Sequence, residues 1–224
     1  MKKYNYLTNA LEKGNVTNSF TASAMSSPVP GCSEMEFKNR VINLFGPFDE
    51  PTVNGIMEKL LKWEEEDAEI LYKHSQQIRQ LEDPTQLLKP IIININSPGG
   101  YVNELMALVD MLESMPCPVI TRAYGQVCSC GFVLFCVGDE RYVGNNTTLM
   151  YHELAYGIWG KDSEIKAQHD YSKKLQKRID KLIAKKTGLK LKQLDAWKKE
   201  VHDKYFDAQE AVDLGIATDL LYWL

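Results

Sequence analysis

Ile91-Ile92-Ile93-Asn94-Ile95-Asn96-Ser97-Pro98-Gly99-Gly100 is the stretch on which the fold turns. Its first half is short, apolar and β-branched, the composition of a buried strand. Ser97-Pro98-Gly99-Gly100 then predicts a tight turn. Beyond it Val102, Leu105, Met106, Val109 and Leu112 recur at three- and four-residue steps, which marks one face of a helix. Pro116-Cys117-Pro118 ends that helix, and residues 119–124 form another strand pattern. Strand, helix and strand joined by a crossover imply parallel pairing, hence an α/β protein with helices packed on a sheet.

Working outward, Arg40-Val41-Ile42-Asn43-Leu44-Phe45 alternates as a first strand, and Gly46-Pro47 turns the chain. Pro51 suits the first position of a helix, whose inner face would carry Val53, Ile56, Leu60 and Leu61. Residues 64–90 begin with Glu64-Glu65-Glu66-Asp67, yet Ile70, Leu71, Ile78 and Leu81 keep helical spacing until Asp83-Pro84. This predicts a lengthened surface helix inserted ahead of the core. Residues 1–33 are rich in Asn, Thr, Ser and Ala without periodicity, and read as a flexible arm or removable leader. Residues 34–224 are then one domain.

Downstream, residues 130–137 make an apolar helix, while 141–143 and 149–151 read as strands. Residues 163–186 form a long, charged, amphipathic helix that stops near Thr187-Gly188. Leu191, Leu194 and Trp197 mark a shorter one. Asp207 with Glu210 three residues on is a capping-box pattern for a last helix, closed by Gly215.

The bulk composition narrows the functions open to such a chain. With 224 residues, 44% hydrophobic and 25% charged, it is long enough for one packed domain. A net charge of -4 gives no electrostatic reason to expect nucleic acid or an anionic membrane as partner. No apolar run approaches the roughly 18 residues of a membrane span, and no apolar core follows Lys2-Lys3, so neither a spanning helix nor a secretory signal is expected. Cys32, Cys117, Cys128, Cys130 and Cys136 are odd in number and lack paired metal spacing. They read as reduced, packed thiols of a cytosolic protein. No phosphate-binding loop is present.

A nucleophilic serine needs a base, oxyanion donors and a rigid exposed position. Gly125-Gln126-Val127-Cys128-Ser129-Cys130-Gly131 offers the last two, because Ser129 stands between a strand and a helix start. There the Cys130 N–H is left without an intrahelical partner, at the positive end of the helix dipole. Taken alone, Ser129 reads more readily as a plain N-cap. Ser97 is the rival nucleophile, but Pro98 after it has no N–H. Gly99-Gly100 is either a plain turn or a place where backbone can approach a substrate and donate a second hydrogen bond. Of the four histidines, His74 and His169 lie in polar helical stretches and His202 beside acidic residues. His152 ends an apolar strand, where a rigid element could aim it or simply bury it. Asp203 is the best-placed acid, since Asp207 caps a helix and Asp195 lies within one.

At these residues the chain resembles the ClpP family of self-compartmentalised serine peptidases, from about residue 37 to 221 and apart from the 64–90 stretch. The resemblance rests on Arg40-Val41-Ile42-x-Leu44-x-Gly46, Ile95-Asn96-Ser97-Pro98-Gly99-Gly100, the Ser129 turn, Met150-Tyr151-His152, and Asp203-Lys204-Tyr205-Phe206 running into 207–215. It implies a ClpP/crotonase-type superhelix of βαβ units, with 163–187 as the protruding helix. It implies Ser129, His152 and Asp203 as catalytic triad, and the amides of Gly100 and Cys130 as oxyanion hole. It further implies two stacked seven-membered rings in a cytoplasmic or plastid-stroma compartment. They would be fed unfolded polypeptide by an AAA+ Clp unfoldase that hydrolyses ATP itself, so no cofactor is expected on this chain. Ile165, Leu175, Ile179 and Leu182 are then expected to seal the two rings together. The sequence departs from the family at Ile92 and Asn94, where aromatics usually line the unfoldase pocket. It departs again at His202, which replaces an arginine, and at Glu153-Leu154, which replaces Gln-Pro. The other readings are a non-catalytic ring subunit and a crotonase-like acyl-CoA enzyme.

Overall fold

The computed structural model describes residues 40–73, 88–200 and 203–222. Expectations for the arm 1–33, Cys32, His74, His202 and the middle of the 64–90 insertion lie outside the described residues. The described elements are β1 (Val41–Phe45), α1 (Glu50–Lys73), β2 (Ile91–Ser97), α2 (Val102–Ser114), β3 (Val119–Cys128) and α3 (Cys130–Val137). They continue with β4 (Glu140–Val143), β5 (Thr148–His152), α4 (Asp162–Lys186), α5 (Leu191–Glu200), β6 (Asp203–Phe206), α6 (Ala208–Asp213) and β7 (Asp219–Leu220).

The parallel sheet runs β1-β2-β3-β4-β7, as the 91–124 pattern requires. Ile91, Ile93 and Ile95 of β2 are fully buried against the helices, while Ile92 and Asn94 are only half-buried on the opposite side. Alternate residues of β1 behave likewise. The ten-residue β3 pairs with β2 along one edge and serves two neighbours along the other. Its first half pairs with β4, and Gln126, Val127 and Cys128 pair with Thr148, Leu149 and Met150 of β5. The division falls at Gly125, whose φ of 59° belongs to the left-handed region open to glycine. β5 in turn pairs antiparallel with β6. Every residue of α3 is buried, which suits its unbroken apolar sequence.

Leu61, expected on the inner face of α1, is exposed, and two larger expectations need correction. α1 begins one residue ahead of Pro51, with Asp49 accepting the Thr52 N–H at 3.0 Å as its cap. It then runs unbroken to Lys73 through the acidic stretch, but that stretch is not wholly surface. Asp67 is fully buried and paired with Arg40 at 2.6 Å, and the Arg40 guanidinium also lies over the Trp63 ring. Burial pushes the Asp67 carboxyl above its usual range, against the pull of Arg40. The lengthened helix is thus pinned to the start of β1.

The second correction concerns α4. Residues 161–171 are exposed on every side and do protrude. Leu175, Ile179 and Ile183, however, belong to the chain's own core, and Leu182 is partly buried against it. Of the four residues expected to seal rings together, only Ile165 remains exposed. Trp159, which is 95% exposed, and Tyr171 are the other large apolar side chains exposed between residues 159 and 171. No described helix is long and apolar enough to cross a membrane.

Candidate active site

Ser129 lies at the junction of β3 and α3 with φ 54° and ψ -119°, the only non-glycine residue of positive φ among those described. Such a conformation costs about 1–3 kcal/mol and persists only when its surroundings impose it. Here the constraints are visible. The Ser129 N–H donates to the Met150 carbonyl at 2.9 Å, and its own carbonyl accepts from Val133 N–H at 3.1 Å. Its side chain makes no cap hydrogen bond, so the hydroxyl is not spent on the helix.

That hydroxyl meets His152. Nε2 lies 2.8 Å from Oγ, within hydrogen-bond range. β5 carries His152 at its end, and the antiparallel register sets His152 directly opposite Asp203 of β6. The Nδ1–Oδ1 separation is 3.9 Å, an ion-pair distance and longer than a hydrogen bond. His152 is 23% and Asp203 45% exposed, so the acid faces water more than the base does. Three residues far apart in the chain thus share one line. Gly125's bend and the two pairings of β3 and β5 are what align them.

The segments that carry the two expected amide donors also lie side by side. Gly100 forms a parallel bridge with Phe48, in which Phe48 N–H donates to the Gly99 carbonyl and Tyr101 N–H to the Phe48 carbonyl. In that arrangement the Gly100 N–H points to the side away from Phe48. Gly100 has φ 153°, and a Cβ there would run into the Phe48 backbone. Cys130, as first residue of α3, has an N–H with no partner within its helix. The Cys130 thiol bonds the Gly100 carbonyl at 3.2 Å and ties the two segments together. Burial pushes this thiol, and that of Cys128, above the usual range. Cys130 is therefore a neutral donor, not a thiolate. Gly99 has a separate part to play. A Cβ on it would stand 2.6 Å from the Ser129 Cβ, so only glycine lets the turn lie against the serine.

The remaining candidates fall away from this point. Ser97 is fully buried, and its Oγ accepts the Gly99 N–H at 3.1 Å, shaping the turn. His169 bonds the Tyr156 hydroxyl at 2.8 Å on the protruding part. Asp207 and Glu210 form the expected capping box of α6, and exposed Asp195 pairs with Lys198. Among the described residues no group of three His, Cys, Asp or Glu could hold a metal ion.

Beside Ser129 opens a cavity of about 410 Å³, with Val102, Leu105, Val133, Met150, Leu154 and Ile179 among its lining. Gln176 also lines it. Sequence reading missed Gln176, because on a helix of mixed polarity a glutamine gives no sign of facing inward. It missed the Phe48 bridge as well, since a single isolated pairing leaves no periodic trace.

Comparison with known proteins agrees with this architecture. The Clp protease family model matches residues 31–222. The chain is also 28% identical, over 190 residues, to the ATP-dependent Clp protease proteolytic subunit 1 of Rhodopirellula baltica, an alignment spanning 84% of this chain and 74% of that protein. An α/β chain with its parallel sheet, its protruding helix and a match over most of its length belongs to the Clp protease family.

Proposed function

We propose that the chain is a serine endopeptidase, the proteolytic subunit of a compartmentalised protease. The observation that carries the reading is the 2.8 Å contact between Ser129 Oγ and His152 Nε2, made by a serine in a conformation that serves no capping purpose. In this reading His152 Nε2 takes the hydroxyl proton as Oγ attacks the peptide carbonyl. The developing oxyanion accepts from the Gly100 and Cys130 N–H groups. The imidazolium then returns its proton to the leaving amine, and water repeats the cycle on the acyl-enzyme. Asp203 orients His152 and stabilises its charged form. Its 3.9 Å gap has to shorten by about 1 Å for a hydrogen bond, as happens when loose catalytic contacts tighten around substrate.

The apolar cavity beside Ser129 suits an apolar side chain next to the scissile bond. Residues 34–224 form the peptidase domain, with the exposed segment 161–171 at the start of α4 as its protrusion. Two stacked seven-membered rings, a Clp unfoldase supplying unfolded polypeptide, and a cytoplasmic or similar reducing compartment complete the proposal. The neutral, buried thiols favour a reducing setting. A crotonase-like enzyme needs no serine bonded to a histidine. A non-catalytic subunit has no need of one either, so the same contact disfavours both.

The test is labelling with a fluorophosphonate together with hydrolysis of a fluorogenic peptide. Wild type should label at Ser129 alone and cleave, and Ser129→Ala should do neither while retaining its fold. A wild-type protein that does not label would refute the peptidase reading.

A further inference from the structure

β5 ends at His152, and the chain leaves the sheet as the strap 153–155. This strap borders the site on both sides of its path, since it follows His152 directly and its Leu154 and Ala155 line the cavity. Glu153, Ala155 and Tyr156 are exposed, so little packing holds it from outside. Leu154 packs its side chain against the core, and the backbone hydrogen bond that fixes the strap goes to one side chain from α4. The Leu154 N–H donates to Gln176 Oε1 at 2.8 Å.

Gln176 is itself held rigidly. It is 6% exposed, and its Nε2 donates to Asp180 Oδ1 at 2.7 Å and to the Tyr151 hydroxyl at 3.4 Å. The Tyr151 hydroxyl donates to the same Asp180 oxygen at 2.7 Å, and Lys198 of α5 pairs with the other. Burial and Asp180 push the Tyr151 phenol well above its usual range, so it stays a donor. The network joins β5, α4 and α5 behind the site, with each buried polar atom of Gln176 in use. Buried networks of this kind rigidify when they are satisfied. Gln176 lines the cavity with the donors of its amide already engaged.

We propose that Gln176 is a positioning residue for the peptidase reaction, accepting the Leu154 N–H so that the strap after His152 stands as a fixed wall of the substrate cavity. The inference rests on the peptidase reading above. It separates two functions of the site. Ser129 and His152 are aligned by β3, β5 and α3, and their 2.8 Å contact is made without a hydrogen bond from Gln176 to either. The cavity wall, by contrast, depends on Gln176. Loss of the Gln176 acceptor should therefore weaken peptide binding and spare the reactivity of the serine.

The experiment compares wild type with Gln176→Met, which keeps the length of the side chain and removes its hydrogen bonds. KM for an apolar fluorogenic peptide should rise about tenfold, as expected when the part-buried N–H that fixes the cavity wall loses its partner. The kcat and the rate of labelling by a small fluorophosphonate should stay within about threefold, less than one decade. An unchanged KM, or a labelling rate that falls in parallel with peptide affinity, overturns the inference. Hydrogen exchange on the wild-type protein provides a second arm that does not need the variant to fold. The Leu154 amide should exchange far more slowly than those of Tyr156 and Gly157. Equal rates would mean the anchor is not there. Absence of labelling in wild type would instead count against the peptidase reading itself.

Discussion

Replacing Gly99 by alanine tests the packing of the site more sharply than removing a catalytic group does. The new Cβ would stand 2.6 Å from the Ser129 Cβ, about 0.9 Å short of the ~3.5 Å at which carbon atoms pack. It would also lie 3.1 Å from both the Cys128 carbonyl and the Ser129 hydroxyl. The glycine turn cannot retreat easily, because Gly99 O is bonded to Phe48 N–H and Gly99 N–H to buried Ser97. Moreover the residue has φ +105°, which an alanine adopts only under strain. The displacement therefore falls on Ser129, which would move by most of an ångström relative to His152 and the two amides. A misplacement of about 1 Å at a reacting centre costs on the order of 100-fold in rate. Steady-state hydrolysis of a fluorogenic peptide should show kcat/KM down by about two decades, which is about 2.7 kcal/mol. Far-UV circular dichroism at ambient temperature should be unchanged, with a lower melting temperature. Near wild-type activity in Gly99→Ala would show that the turn and the serine are not in contact during catalysis, and the geometry argued for the oxyanion hole would fall with it.

Other outcomes follow from the same structure. His152→Ala should abolish hydrolysis, because Ser129 Oγ then loses the nitrogen that stands 2.8 Å from it, and near wild-type cleavage by that variant would exclude His152 as base. Cys117 and Cys136, both pushed up to about 12 by burial, should resist Ellman's reagent at pH 8 until denaturant is added. Ile179→Ala should cost about 2–5 kcal/mol in chemical denaturation, since Ile179 is 3% exposed in the chain's own core; a cost near zero would return it to the surface. Ile165→Asp, on the protruding part of α4, should leave that stability unchanged and shift sedimentation toward smaller species, and an unaltered assembly would rule this face out as a contact.

Much of the fold could be read locally. A β-branched run, a Pro-Gly-Gly turn and a helical repeat each depend on neighbours in sequence, so 91–124 announces parallel α/β order without further help. Ser129, His152 and Asp203 were readable as candidates for a similar reason, because strand ends and helix starts are places where a side chain is held and exposed together. Their meeting was implied by the family resemblance and could not be read from the residues themselves. It depends on β3 pairing with both β4 and β5, and on the β5–β6 register that opposes His152 to Asp203. The misreadings share one cause. Asp67 looked solvated until Arg40, just ahead of β1, proved to stand opposite it, and Ile179 looked like a ring seam until it proved part of the core that α3 shares. Gln176 looked like one more polar residue on a charged helix. The amino-acid sequence determines which faces are apolar and where the chain turns, since these follow from the chemistry of adjacent residues. Which face is covered, and by what, was decided only by the tertiary structure, because burial is a relation between elements that no single segment contains.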